Sequence, residues 1–270
     1  MKFCRAALLS CLLFINTAFA NTFTTDLTDI WWNPSESGWG VTLSHQTDFV
    51  FLTFFVYGPD NRPKFYTGQA SFTGSANGQI IFSGPVFETT GPWLGLGAFN
   101  PNAVTARQVG TTTLSANVSA ATLTYSIDGV SVTKSIQRQT FRNNSFSGTY
   151  LGVFTAARTG CANPANNGTS QAVQALNITM TASTFTMRGV DANSNQICTY
   201  NGNYTQTGRM GRSTGTFSCP ATNSIPIENG TYDFFELEAN KNSVTGRFSL
   251  ASNICASFRG HHTWTKLIVD

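Results

Sequence analysis

Charge is scarce in this sequence: Asp, Glu, Lys and Arg make up 11% of 270 residues, against about a quarter in ordinary globular domains. Of its 16 Lys and Arg, Lys2 and Arg5 fall in the first twenty residues, so a chain without that segment sets 14 basic side chains against 13 acidic ones. Such a balance offers no basic stripe to a nucleic-acid backbone. Long apolar runs are missing too. Beyond the N-terminus no window approaches the ~18 consecutive apolar residues of a membrane helix, so no span is expected once the N-terminal segment is removed. No segment there reads as a helix, which excludes a coiled coil. The chain also lacks an HExxH pair and a Walker loop, and Gly95 and Gly97 lack the third glycine and following helix of a dinucleotide site. Neither a metal nor another cofactor is expected.

Aromatic residues and glycine are abundant instead: 13% Phe, Trp and Tyr, with 22 Phe and 24 Gly. The N-terminus carries a short basic region, an apolar run from Ala6 to Ile15 and the small residues Ala18 and Ala20. This is the pattern of a signal peptide over residues 1–20, giving a soluble, secreted or periplasmic protein that starts at Asn21. Cys4 and Cys11 would leave with it. The four remaining cysteines, Cys161, Cys198, Cys219 and Cys255, all follow residue 143 and have no CxxC spacing of a zinc site, so disulfides are expected. A turn centred between Gly208 and Arg209 sets Cys198 opposite Cys219 on neighbouring strands, within disulfide reach. Cys161 then pairs with Cys255 by elimination.

The chain reads as β nearly throughout. Phe49 to Tyr57, Gly78 to Phe87, Thr122 to Gln139, Val173 to Met187 and Thr231 to Glu238 are rich in Val, Ile, Thr, Phe and Tyr, and turn residues punctuate them. An Asp128-Gly129 turn pairs Ile127 with Val130 and Tyr125 with Val132, which places the apolar side chains of that hairpin on one core face. The segment from Ser37 to Val41 opens the first half, and a loosely similar one from Ser147 to Val153 opens the second. The expectation is an all-β protein of two domains, 21–143 without cysteine and 144–270 with two disulfides. Each would be an antiparallel barrel of about eight strands or a related sandwich. Phe49, Phe51, Phe55 and Tyr57 share one face of their strand while Val50, Leu52, Phe54 and Val56 make the other face apolar as well. The second face is therefore expected to be covered by the other domain or by another subunit.

Trp31-Trp32-Asn33-Pro34-Ser35-Glu36-Ser37-Gly38-Trp39-Gly40-Val41, followed by the strand that ends at Tyr57 and by Arg62-Pro63, resembles a group of uncharacterised secreted bacterial β-proteins that open on W-x-NP-x-ESGWG. Where that group has a Trp after the Pro, this chain has Lys64-Phe65-Tyr66. The resemblance implies a bacterial exported β-protein and no particular activity. A glycine followed by an aromatic on the first strand of each half also resembles the lipocalin and avidin-like barrels, in which that strand opens a calyx.

Three functions compete. The first is a non-catalytic binding module for a small apolar or sugar-like ligand, with Trp31, Trp32, Glu36, Trp39, Tyr57, Tyr66 and Trp93 lining a barrel mouth. Its structural counterpart has Glu36 accepting backbone N–H groups in its turn and Trp39 packing into the core with Val41 and Leu43. The second is an envelope or surface protein that binds another envelope protein through the doubly apolar strand. The third is a hydrolase built on His45, Asp48 and a serine, or on a Glu236/Glu238 carboxylate pair. His45 and Asp48 are expected to pair structurally, the two glutamates to sit as solvated like charges, and His261 and His262 to lie at the surface. A cavity of roughly several hundred Å³ favours the first reading, filled barrels the second, and a serine beside His45 the third.

Overall fold

In the computed structural model, which describes residues 25–95, 97–223 and 225–267, the chain forms two closed antiparallel barrels of eight strands each. The expected leader, residues 1–20, lies outside the described residues. The first barrel runs through β1 (Asp29–Trp32), β2 (Gly40–Gln46), β3 (Phe49–Tyr57), β4 (Pro63–Ala76), β5 (Gln79–Thr90), β6 (Thr105–Ala116), β7 (Ala120–Ile127) and β8 (Val130–Arg138). The second runs through β9 (Gly148–Cys161), β10 (Gly168–Met180), β11 (Thr184–Asp191), β12 (Ile197–Thr207), β13 (Met210–Cys219), β14 (Glu228–Ala239), β15 (Ser243–Ser252) and β16 (Cys255–Lys266). Consecutive strands pair up and down, and β1 with β8 and β9 with β16 close the circles.

Alternation decides what lies inside. In β3, Val50, Leu52 and Phe54 are buried, and Phe51, Phe55 and Tyr57 point outward. The first interior is filled by Trp31, Phe54, Phe82, Leu43, Leu52, Leu114 and Leu123 among others. The second is rich in aromatics, with Phe146, Phe185, Phe234, Phe248 and Trp264 at its heart. Tight coiling of the sheets depends on glycine at particular points. A Cβ on Gly84 would overlap the Gln69 carbonyl oxygen, and one on Gly260 the Thr155 carbonyl oxygen. Only a residue without a side chain lets neighbouring strands approach so closely.

The hairpin register read from sequence holds: Ile127 faces Val130 and Tyr125 faces Val132. Val130 lies at the rim and is exposed, while Tyr125 and Ile127 pack against the core. The Gly208-Arg209 turn joins Thr207 to Met210, and Cys198–Cys219 forms across β12 and β13. Cys161–Cys255 links β9 to β16 across the closing seam. Two disulfides fit an oxidising, exported compartment.

Of the two covers expected for the aromatic face of β3, the second barrel is not the one: Phe51, Phe55 and Tyr57 remain exposed in the single chain, with Phe65 beside Phe55 on β4. The second barrel instead meets the first at the opposite end, through its Gly208-Arg209 turn. Gly208 N–H donates to Thr140 Oγ1 at 2.8 Å, Arg209 N–H to Asp29 Oδ2 at 3.1 Å and Arg209 Nε to Thr28 O at 2.8 Å. The Arg209 guanidinium also pairs with Asp26 and with Glu238 of its own barrel. Behind Asp29 stands Arg138, whose side chain is fully buried. It donates to Asp29 Oδ2 at 3.1 Å, to Thr28 O at 3.3 Å and to Val118 O, and it lies 4.9 Å from the Trp31 ring centroid.

Two outcomes follow from this wiring. Reduction is expected to raise hydrogen exchange in residues 148–266 before residues 29–138, because a cross-link of this kind contributes about 3 kcal/mol for a short loop and about 4.7 kcal/mol for one near a hundred residues. Equal loss of protection in both barrels would show that they unfold as one unit. Asp29→Ala removes the carboxylate from a buried guanidinium and is expected to cost about 3 kcal/mol in urea unfolding. An unchanged midpoint would show that the carbonyl oxygens suffice for Arg138.

Candidate functional site

The first barrel's mouth is occupied by its own side chains. Pro34 and the glycines bend 33–39 over this end, where Trp39 packs partly against the core and donates its Nε1–H to Glu36 Oε2 at 3.0 Å. Lys134 reaches the other Glu36 oxygen at 2.8 Å, and this hydrogen bond holds the carboxyl below the usual glutamate range. Glu36 thus fastens the turn through two side chains and not through the backbone N–H groups expected. Trp39 is half-buried, less enclosed than Val41 and Leu43.

The remaining candidates are scattered. Trp31 is fully buried with its N–H given to Leu27 O at 3.0 Å, and Tyr66 lies in the same core. Both are consumed by packing. Trp32 lines a cleft of about 410 Å³ between the barrels with Gln137, Gln206 and Thr207. Tyr57 lies beside Gly38 on the outer surface, and Trp93 is 72% exposed in the loop between β5 and β6. The seven residues expected to share one mouth are distributed over core, cleft and exterior.

The hydrolase constellations are used structurally. His45 Nδ1 accepts Leu27 N–H at 3.2 Å, its Nε2 lies 2.8 Å from Thr47 O, and its nearby carboxylate is Asp26 at 3.8 Å, not Asp48. A bulge in β14 separates Glu236 from Glu238, with Glu236 at φ +54°. Glu236 turns to Thr25 and Arg247, Glu238 to Arg209. These are separate pairings, not the solvated like charges expected.

The open calyx is in the second barrel, at the end away from Arg209. A cavity of about 360 Å³ is walled by Phe154, Tyr200, Phe217, Phe234, Phe248 and Phe258. Several inward positions near this mouth are small: Ala156 on β9, Ala172 on β10 and Gly189 on β11, and both disulfides occupy the rim. Below, Phe146 and Tyr204 close the barrel with ring centroids 5.7 Å apart.

Beside the rings the lining carries polar side chains, among them Arg158, Asn166, Gln174, Asp191, Gln196 and Glu228. Gln174 Oε1 is buried with no hydrogen-bond partner among the described residues. Glu228 accepts from Ser252 Oγ at 2.7 Å, and Asp191 accepts from the N–H groups of Asn193 and Ser194 and from the Ser194 hydroxyl. The guanidinium of Arg158 lies 4.6 Å from the Phe258 ring centroid. Burial, followed by the charge of Glu228, pushes the Tyr200 phenol well above its ordinary pKa.

No family model, curated protein or solved structure matches this chain. Sequence reasoning missed Gln174, Arg158, Asp191 and Glu228 because none belongs to a motif. A usable signal was present in the disulfide register, which puts Cys198 and Cys219 at the far end of their hairpin from Gly208, with Ala172 and Gly189 on inward positions nearby.

Beneath the wall, His262 is buried, contrary to its expected surface place, while His261 points outward. The two ring nitrogens of His262 and the Trp264 Nε1 have no partner among the described residues, and the two rings stack at 4.0 Å. Burial, with His261 adding to it, lowers the imidazole pKa to about 3. The folded state therefore keeps His262 neutral while the unfolded chain takes up a proton below about pH 6.5. Stability tied to this group is complete above pH 6.5 and is lost as pH falls toward 3, at up to about 1.4 kcal/mol per pH unit. His262→Phe is expected to flatten that slope in urea unfolding between pH 6.5 and 4; an identical slope would show that the histidine is solvated.

Proposed function

We propose that the protein is an exported, non-catalytic binding module that captures a small ligand in the calyx of its second barrel, in the periplasm or the surrounding medium. The observation that carries this reading is the cavity of about 360 Å³, a volume within the usual range of small-molecule sites. Its chemistry supports the apolar member of the apolar or sugar-like pair. Six aromatic rings make the wall beside Ala172, Ile225, Pro226 and Leu250, an apolar lining against which a ligand body packs. The leader-like N-terminus and the disulfides support export.

A second reading has support of its own. The outward row Phe51, Phe55, Tyr57 and Phe65 favours an interaction with another envelope protein, since exposed aromatic clusters of this kind are uncommon on monomers. The two readings use opposite barrels and separate cleanly.

Uptake of the neutral dye N-phenyl-1-naphthylamine, followed by its fluorescence, tests the first. The wild-type protein is expected to bind it saturably, and Ala172→Trp, which fills the mouth, is expected to abolish the signal with an unchanged far-UV spectrum. Phe51→Ser with Phe55→Ser is expected to leave uptake intact. Dye binding that survives Ala172→Trp but is lost in the β3 variant would move the site to the first barrel's exterior.

A further inference from the structure

We propose that the ligand of the second barrel is an organic cation: an ammonium or amidinium group carried on an apolar, preferably aromatic, body. This rests on the reading of the calyx as a ligand site and adds the class of ligand. The cavity presents acceptors in excess. Gln174 Oε1 is buried with no donor among the described residues, and its carboxamide lies against Gly189, where any Cβ would crowd it. An unpaired buried acceptor is costly, and a ligand N–H relieves the cost. The charged residues that line the cavity are Asp191, Glu228 and Arg158, two carboxylates against one guanidinium. An anionic ligand would meet net negative charge on entry, whereas a cation is attracted.

The wall points the same way. Tyr200 contacts Phe217, Tyr232 and Phe234 at centroid separations of 5.4–5.5 Å, and Phe248 contacts Phe258 at 5.6 Å. These grouped rings line one cavity, and an ammonium group is held over aromatic faces of this kind. The protein itself places a cation on this wall, since the guanidinium of Arg158 rests over Phe258. Its charge is the one feature that opposes a second cation, and two carboxylates outweigh it.

The test compares three ligands of similar shape by titration calorimetry at pH 7: 2-phenylethylamine, 2-phenylethanol and 3-phenylpropionate. The amine is expected to bind about tenfold tighter than the alcohol or the acid. Glu228→Gln and Gln174→Leu are each expected to weaken the amine about tenfold while uptake of the neutral dye, which also reports folding, is unchanged. An alcohol or acid that binds as tightly as the amine overturns the cation class and leaves the calyx as the site. Dye uptake without binding of any of the three does the same, as does amine binding that is indifferent to both substitutions. Absence of dye and of all three ligands overturns the calyx reading itself.

Discussion

Closure of eight antiparallel strands on themselves is the constraint from which the rest of this molecule follows. A closed sheet has no free edges, and its interior diameter is set by strand number and tilt, so the inward side chains must either fill a fixed volume or leave part of it empty. Both barrels obey the same geometry, and they resolve it differently. The first places Trp31, Phe54, Phe82 and a layer of leucines inside, then closes its mouth with Trp39, Glu36 and Lys134. The second concentrates its large rings at the middle and lower levels and gives the upper level to Ala172, Gln174, Gly189 and the disulfides. The same architecture therefore yields one plugged barrel and one cup.

The disulfides belong to that second solution. Short side chains at a barrel mouth give up the packing that would hold the strands together there. Cys161–Cys255 fastens the closing seam at the level where packing is thinnest, and Cys198–Cys219 fastens the adjoining hairpin. The first barrel has a filled interior and no cross-link. Its weak point is the opposite end, where short β1 meets β8, and Arg138 compensates there by tying Asp29, Thr28 and Val118 together beneath Trp31. Arg209 extends that cluster into the second barrel, so the two are joined at their closed ends and the calyx faces away from the junction.

Burial of His262 and Trp264 shows how far the second interior favours shape over hydrogen bonding. Their stacked rings fill the centre of an aromatic cluster, and three ring nitrogens lack partners among the described residues. Neutral imidazole carries this cost more cheaply than a charged one, hence its strongly lowered pKa. The outward row on β3 is the reverse case. Phe51, Phe55 and Tyr57 face solvent on a strand whose inner face is already complete, so nothing among the described residues covers them.

The sequence by itself determined the elements and their short-range register. Alternation, turn residues and β-branched content were enough for two all-β units, barrels or sandwiches, for the Asp128-Gly129 hairpin and for both disulfides, because each depends on residues that are near one another in the chain or on a count of cysteines. It did not determine which barrel would be hollow. That depends on side-chain volumes summed at one level around eight strands, where Ala156, Ala172, Gly189 and Cys219 come together from distant positions. The motif around Trp39 drew attention to the mouth that is plugged, because a conspicuous cluster of tryptophans is equally suited to plugging a barrel and to lining one. Only the tertiary structure separates those uses, through the fate of each indole: Trp31 is enclosed, Trp39 is held by Glu36, and Trp93 is left outside. Likewise no pattern marks Gln174, whose significance is a missing hydrogen bond, and a missing bond exists only once every possible partner has been placed in space.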